Sequence, residues 1–353
     1  MTVIHWERYP HVAALPAACT WLTIQSNLGL AQATIDAYGR VLHDYFTFCH
    51  AQGIAPGAAT RAHLAAYVSD LTQRPHRQGP TVVHLSSGTG LANATIQQRL
   101  VAVRLFYDYL VEEGQRELNP VGRGRYTAVK GFGGTRAKGL IPRFTRLPWI
   151  PTEPQWQALL QVARQEPIRN RLMLALAYDA GLRREELCAV RSDDLDPAHR
   201  TVRIRAETTK GRRERVVPYS VATAVLLQAY LAYRQTLSRA RGPVFLSESH
   251  RNRTAPITLW TWSKVIRRLA LAAHLPQFST HTLRHLCLTD LARAGWELHA
   301  LATFAGHRNL ATTLQYIHLS GRDLAEKLTR GMAHIHTWRA QTLAEGPGEG
   351  GHC

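Results

Sequence analysis

Four segments in the second half of this 353-residue chain carry side chains suited to handling a phosphate. The first is Gly181-Leu182-Arg183-Arg184-Glu185-Glu186-Leu187. Its Arg183 and Glu186 are three apart, a spacing that puts both on one helix face. By itself such a pair is most often a surface ion pair. The second is Thr208-Thr209-Lys210-Gly211-Arg212-Arg213, a charged turn. A lysine on a turn can swing toward a substrate, and positive neighbours favour release of its proton. The third is His281-Thr282-Leu283-Arg284-His285. Offsets of three and four place its three polar groups together, as two imidazoles and a guanidinium that can cradle a phosphate. A metal site is the competing reading. It needs a carboxylate where Arg284 stands, and a guanidinium repels a cation, so no metal is expected. The fourth is Ala305-Gly306-His307-Arg308-Asn309, followed by Thr312 to His318 with Tyr316 among them. A lone tyrosine is ordinarily a half-buried core residue. Beside Arg183, Lys210, His281, Arg284 and His307 it becomes a candidate nucleophile.

The charge balance names a polyanion as partner. Lys plus Arg is 43 against 25 for Asp plus Glu, a formal net charge of +18. Each phosphate that such a surface neutralises releases condensed counterions. The charge is clustered: Arg116, Arg123, Arg125, Lys130, Arg136, Lys138, Arg143 and Arg146 fall in one stretch with a single acid, Glu117. Arginine dominates, and its fork pairs well with phosphate oxygens. The five cysteines are odd in number and widely spaced, with no CxxC. That fits a reducing cytoplasm and argues against a disulfide scaffold or zinc ribbon. No apolar run is long enough to span a membrane, and residues 1–18 do not read as a signal peptide.

The elements that must position these side chains follow from periodicity. Residues 27–113 read as mostly helical, with apolar residues at steps of three and four over 33–50, 62–71 and 93–113. The Pro- and Gly-bearing stretch 74–92 reads as a long loop between helices. Residues 1–118 are thus expected to form a helical domain. Residues 119–151, basic and rich in Gly and Pro, read as a linker. A catalytic domain is expected over 152–340 and a flexible tail over 341–353. In that domain 153–164, 168–180 and 183–190 read as helices, broken at Gly181. The alternation at 201–206 and 214–218 reads as a β-hairpin carrying Lys210 at its tip. Helices return at 221–240, 259–274, 281–294, 297–305 and 310–317. The segment 324–338 reads as a further helix, packing in cis or onto a neighbouring subunit.

The ordered set GLRxxEL, hairpin lysine, HxLRH, GH and late tyrosine resembles the tyrosine recombinases, the phage integrases and their relatives. The resemblance spans about 152–330, and the N-terminal helical domain is similar, more weakly, to that family's core-binding domain. It implies a mainly α fold with a small β-hairpin or sheet, in a two-domain architecture of helical core-binding domain plus mixed α/β catalytic domain. It implies an enzyme that cleaves and rejoins DNA through a 3′-phosphotyrosyl bond without hydrolysis or cofactor. Arg183 and Arg284 would clamp nonbridging oxygens. His307 would add a hydrogen bond. His281 would contact the phosphate and assist as a base. Lys210 would protonate the leaving 5′ oxygen, and Tyr316 would attack. Glu186 and His285 would support, and His318 is structural or supporting. Arg184, Arg212, Arg213, Arg308, Arg123, Arg125 and Lys130 would contact the DNA backbone. The expected partner is double-stranded DNA, bound by a homotetramer or a hetero-recombinase assembly, in the cytoplasm at the nucleoid. Integration, excision, transposition and dimer resolution all use this chemistry. A type IB topoisomerase and a catalytically silent DNA-binding protein are the alternatives. The intact catalytic set argues against the second.

Overall fold

A computed structural model describes residues 3–74, 90–122, 148–209, 211–317 and 328–329. The chain divides into two compact units, Met1–Arg146 and Leu147–Cys353. The first is all helical, with α1 (Pro10–Ala13), α2 (Pro16–Asn27), α3 (Gln32–Ala51), α4 (Arg61–Gln73) and α5 (Asn93–Glu112). The apolar stripe read from the sequence is the stripe that α3 buries: Ile35, Leu42, Tyr45, Phe46 and Cys49. It meets Ile96, Leu100, Val103, Phe106 and Leu110 of α5 in one core. Two aromatic hydroxyls inside that core are satisfied. Tyr45 and Tyr107 share a hydrogen bond at 2.8 Å, and Tyr107 also donates to the Pro56 carbonyl at 2.8 Å. Apolar periodicity begins the helical run at residue 27. The structure adds α1 and α2 before it, each started by a proline in its first turn, where the missing N–H costs no bond.

The second unit is mixed. Helices α6 (Glu153–Ala163), α7 (Ile168–Asp179) and α8 (Arg184–Cys188) precede strands β1 (Leu195–Asp196), β2 (Thr201–Ile204) and β3 (Arg215–Pro218). Then come α9 (Val221–Leu237), α10 (Leu259–Ala272), α11 (Thr280–Arg293), α12 (Leu298–Ala305) and α13 (Ala311–Ile317). The strands pair antiparallel in the order β1-β2-β3, so the expected hairpin gains a short third strand. Val202 faces Val217 and Ile204 faces Arg215 across β2 and β3. Val202, Ile204 and Val217 are buried on the core side of the sheet. The core joins Leu172, Met173 and Leu176 of α7 to Tyr230 of α9, Trp262 and Ile266 of α10 and Leu283 of α11.

Three helices of this unit, α7, α11 and α12, end on a glycine turn, and the turns after α7 and α12 bear on the site. At the end of α7 the Gly181 N–H donates to the Tyr178 carbonyl at 3.1 Å and the Leu182 N–H to Ala177 at 3.1 Å. At the end of α12 the Gly306 N–H donates to Thr303 at 3.1 Å and the His307 N–H to Ala302 at 2.9 Å. Both are Schellman ends, which need a left-handed residue just past the helix. Gly181 has φ +55° and Gly306 φ +63°. A side chain at either position would be strained.

Candidate active site

Arg284 sits in α11, 4% exposed. A guanidinium so buried must find acceptors. It donates through Nη1 to the Gly181 carbonyl at 2.6 Å and through Nη2 to the Ala305 carbonyl at 2.5 Å. The Ala305 carbonyl is the last of α12 and that of Gly181 lies in the turn just past α7, both near helix C-termini, where partial negative charge welcomes a cation. The same Nη2 lies 3.0 Å from His307 Nε2. A guanidinium cannot accept, so Nε2 is the acceptor and the His307 proton sits on Nδ1. That nitrogen meets Thr313 Oγ1 at 2.9 Å. Burial and the nearby charge of Arg183 lower the Arg284 pKa to about 10.

Arg183 is the N-cap of α8, not a residue of its face. Its backbone N–H donates to Glu186 Oε2 at 2.9 Å, and its Nη1 donates to Oε1 at 2.8 Å. The three-residue spacing is therefore one arm of a capping box: the third helical residue reaches back to the cap N–H, and the guanidinium, having no acceptor, donates to the same carboxylate. Glu186 is 2% exposed. Arg215 completes its shell, with Nη1 to Oε1 at 3.0 Å and Nη2 to Oε2 at 2.7 Å. Burial alone would raise the Glu186 pKa. Hydrogen bonds and charge from Arg215 and Arg183 outweigh it and hold the carboxyl at about 2.

Tyr316 is 3% exposed in α13. Its hydroxyl lies 2.9 Å from His285 Nδ1. Its ring stacks on His307, with centroids 6.1 Å apart and planes 7° from parallel. Burial holds the tyrosine pKa above its ordinary value, against the opposing pull of the Arg284 and Arg183 charges. His285 is lowered to about 4 by burial, then by His281 and Arg284. His307 is lowered to about 4 by burial, then by Arg284, Arg183, Arg215 and His285. Both imidazoles are neutral at pH 7 and so able to accept a proton.

The structure thus brings together Arg183, Glu186, Arg284, His285, His307 and Tyr316. His281 is exposed at the start of α11, and its ring centroid is 6.5 Å from that of His285. Among the outlying arginines, Arg184 bonds Glu185 Oε1 at 2.8 Å and Ser263 Oγ at 3.1 Å. Arg212, Arg213 and Arg308 are exposed. A Cβ added to Gly211 would lie 3.5 Å from Arg308 Cγ, so the hairpin turn abuts the loop after His307. Lys210, Arg123, Arg125, Lys130 and His318 lie outside the described residues, as does most of 324–338. Two contributors escaped the sequence reading, Arg215 and Thr313. Arg215 had a signal: it stands in phase with buried Val217 on β3, an inward position for a charged residue. Thr313 had none.

Comparison with known proteins covers both units. The model of the phage integrase family matches residues 151–322. The model of the phage integrase N-terminal SAM-like domain matches residues 21–114. The tyrosine recombinase XerC of Actinobacillus pleuropneumoniae serotype 7 is 31% identical over 252 residues, covering 69% of this chain and 74% of that protein. XerC of Thermodesulfovibrio yellowstonii is 25% identical over 316 residues, covering 86% of this chain and 91% of that protein. Among solved structures, the XerH site-specific recombinase bound to a palindromic difH substrate in a post-cleavage complex superimposes with a TM-score of 0.64. That match is 19% identical and covers 85% of this chain and 80% of that one. At that identity the likeness speaks for the fold, which is the mainly α, two-domain fold expected.

Proposed function

The chain belongs to the phage integrase family of tyrosine recombinases, and from that premise we propose that it cuts and rejoins double-stranded DNA through Tyr316. It is a site-specific recombinase. The observation that carries the residue assignment is the Tyr316 hydroxyl, 2.9 Å from a neutral imidazole in a cluster of buried guanidiniums. The tyrosine oxygen attacks phosphorus, the bond to the 5′ oxygen breaks, and the 3′ phosphate stays on the protein. The phenolic proton passes to the imidazoles of α11, with His285 nearest and His281 beside it toward solvent. We assign Lys210 to protonate the 5′ oxygen. Arg183 and Arg284 offset the charge that grows on the nonbridging oxygens. Arg284 has five N–H donors, and its internal partners leave donors for a phosphate oxygen. His307 joins as a donor from Nε2 once its proton moves to that nitrogen, with Nδ1 then accepting from the Thr313 hydroxyl. Reversal with a different 5′ hydroxyl exchanges strands without loss of bond energy.

Match to recombinase models in both units, and to XerC relatives over most of their length, favours strand exchange over relaxation by a lone topoisomerase or silent binding. The DNA substrate places the enzyme at the nucleoid, in an assembly of several subunits on its site. Among the described residues, no helix is long and apolar enough to cross a membrane. The test is covalent capture. The full chain is incubated with nicked duplexes of random sequence, and DNA held through SDS is recovered and sequenced. A recurring site is expected. Tyr316→Phe should lose the adduct while still binding the recovered DNA. An adduct that persists in that variant refutes the assignment.

A further inference from the structure

We propose that Arg215 is a positioning residue for this reaction: it occupies half of the Glu186 carboxylate and so leaves Arg183 aimed at the phosphate, while Arg215 itself is tied to the turn that carries His307. The proposal rests on the site assignment above and adds a residue to it. Its side chain is 7% exposed, against 23% for that of Arg183.

The number of acceptor positions on Glu186 is what limits Arg183. A carboxylate offers about four lone-pair positions. Arg215 takes two of those on Glu186 with its fork, at 3.0 and 2.7 Å. The Arg183 backbone N–H takes a third at 2.9 Å. One remains for the Arg183 side chain, which fills it with Nη1 alone at 2.8 Å. The rest of the Arg183 guanidinium is therefore not drawn into a second bond with Glu186. Without Arg215 the stronger arrangement for Arg183 would be a two-pronged bond to that carboxylate. Arg183 would then turn its fork inward and away from a substrate.

Two further contacts tie Arg215 to the far side of the site. Its Nε donates to the Phe304 carbonyl at 3.0 Å, in the last turn of α12. A Cβ at Gly306 would lie 3.1 Å from its Nη1 and 3.2 Å from its Cδ. Arg215 thus joins β3, the start of α8 and the turn before His307. The alternative role is an ordinary ion pair that fastens the sheet to α8. That role needs no influence on the direction of Arg183 or on the ionisation of His307. The charges facing His307 are Arg284, Arg183 and Arg215, and the neutral titratable groups against it are His285 and Tyr316.

The test uses the ¹⁵N-labelled full chain as wild type, Arg215→Lys and Arg215→Ala. The Arg183 Nε–Hε resonance is identified by its loss in Arg183→Lys, and the His307 imidazole by its loss in His307→Gln. Lysine keeps the charge and loses the fork. In Arg215→Lys the Arg183 resonance should move, the His307 titration midpoint should stay low, and adduct formation on the captured DNA should slow about tenfold or more, the scale of one charged hydrogen bond. In Arg215→Ala the His307 midpoint should also rise. DNA affinity should hold in both. An unmoved Arg183 resonance in folded Arg215→Lys overturns the proposal. If Arg215→Ala does not fold, Arg215→Lys alone decides. The resonance arm needs no DNA, so a failure to capture any adduct counts against the proposed function, while an unmoved resonance counts against the role of Arg215.

Discussion

Replacing Glu186 by glutamine should weaken the C-terminal unit by an amount the structure sets. The folded state holds the Glu186 carboxyl at about 2, against an ordinary value of 4.5. At about 1.4 kcal/mol per pH unit, that lowering is worth about 3 kcal/mol of stability at neutral pH. The figure agrees with the range of about 3–5 kcal/mol for breaking a buried pair by removing one partner. Two guanidiniums, Arg183 and Arg215, would lose the charge they share. For a unit of this size the melting temperature should fall by about 6–12 °C. The sign with pH is also determined. Because the folded value lies below the unfolded one, the stabilisation is complete above about 4.5 and is lost as pH falls toward 2. The gap between wild type and Glu186→Gln should therefore narrow over that window. Differential scanning calorimetry of the full chain reads both quantities. Only the transition of the C-terminal unit should move. A glutamine variant that melts with wild type at pH 7 would refute the reasoning, as would a gap that stays constant into acid.

Gly306→Ala should cost about 1–2 kcal/mol from its left-handed backbone alone. More is expected because the new methyl meets Arg215 at 3.1 Å. Urea denaturation measures it, and a loss within about 0.5 kcal/mol, the usual surface value, would show that the turn relaxes freely. His285 and His307 should each titrate near 4 in the intact protein, well below the ordinary 6.5. The unfolded chain takes up these protons first, so stability should fall as pH drops from about 6.5 to 4 and level off below that. Imidazole NMR gives the midpoints, and values near 6.5 would mean that burial does not control them.

The fold was legible wherever apolar spacing decided it. Ile35, Leu42, Phe46 and Cys49 announced α3, and the breaks at Gly181 and Gly306 fell where helices stop. What escaped was short or context-dependent. α2 buries only Ala18, Trp21 and Leu22, too few to form a clear stripe. β1 has two residues and exists because β2 pairs with it. In the site, motif order found Arg183, Arg284, His307 and Tyr316, which the structure gathers. Spacing gave the right pair for the wrong reason at Arg183 and Glu186, because a carboxylate reaching back to its N-cap and a shared helix face both use an offset of three. Offset also grouped His281 with Arg284 and His285, although one is exposed, one buried and one half-buried. Periodicity reports which residues share a face but not how deep that face lies.

The two glycines show why the motifs hold together as a set. Gly181 ends α7 and Gly306 ends α12, both through left-handed turns. Each turn presents a backbone carbonyl, Gly181 in one case and Ala305 in the other, and both accept from Arg284. The buried cation is thus held at two helix C-termini, where the backbone itself offsets part of its desolvation. The Phe304 carbonyl does the same for Arg215. The glycine in GLRxxEL and the glycine in GH are therefore parts of the arginine site. A substitution at either glycine acts on Arg284 without touching it, by moving a carbonyl it depends on. Tyr316 inherits this dependence, since its ring lies on His307 and His307 accepts from Arg284. Motifs that stand 125 residues apart between Gly181 and Gly306 are one hydrogen-bonded unit, centred on a single guanidinium.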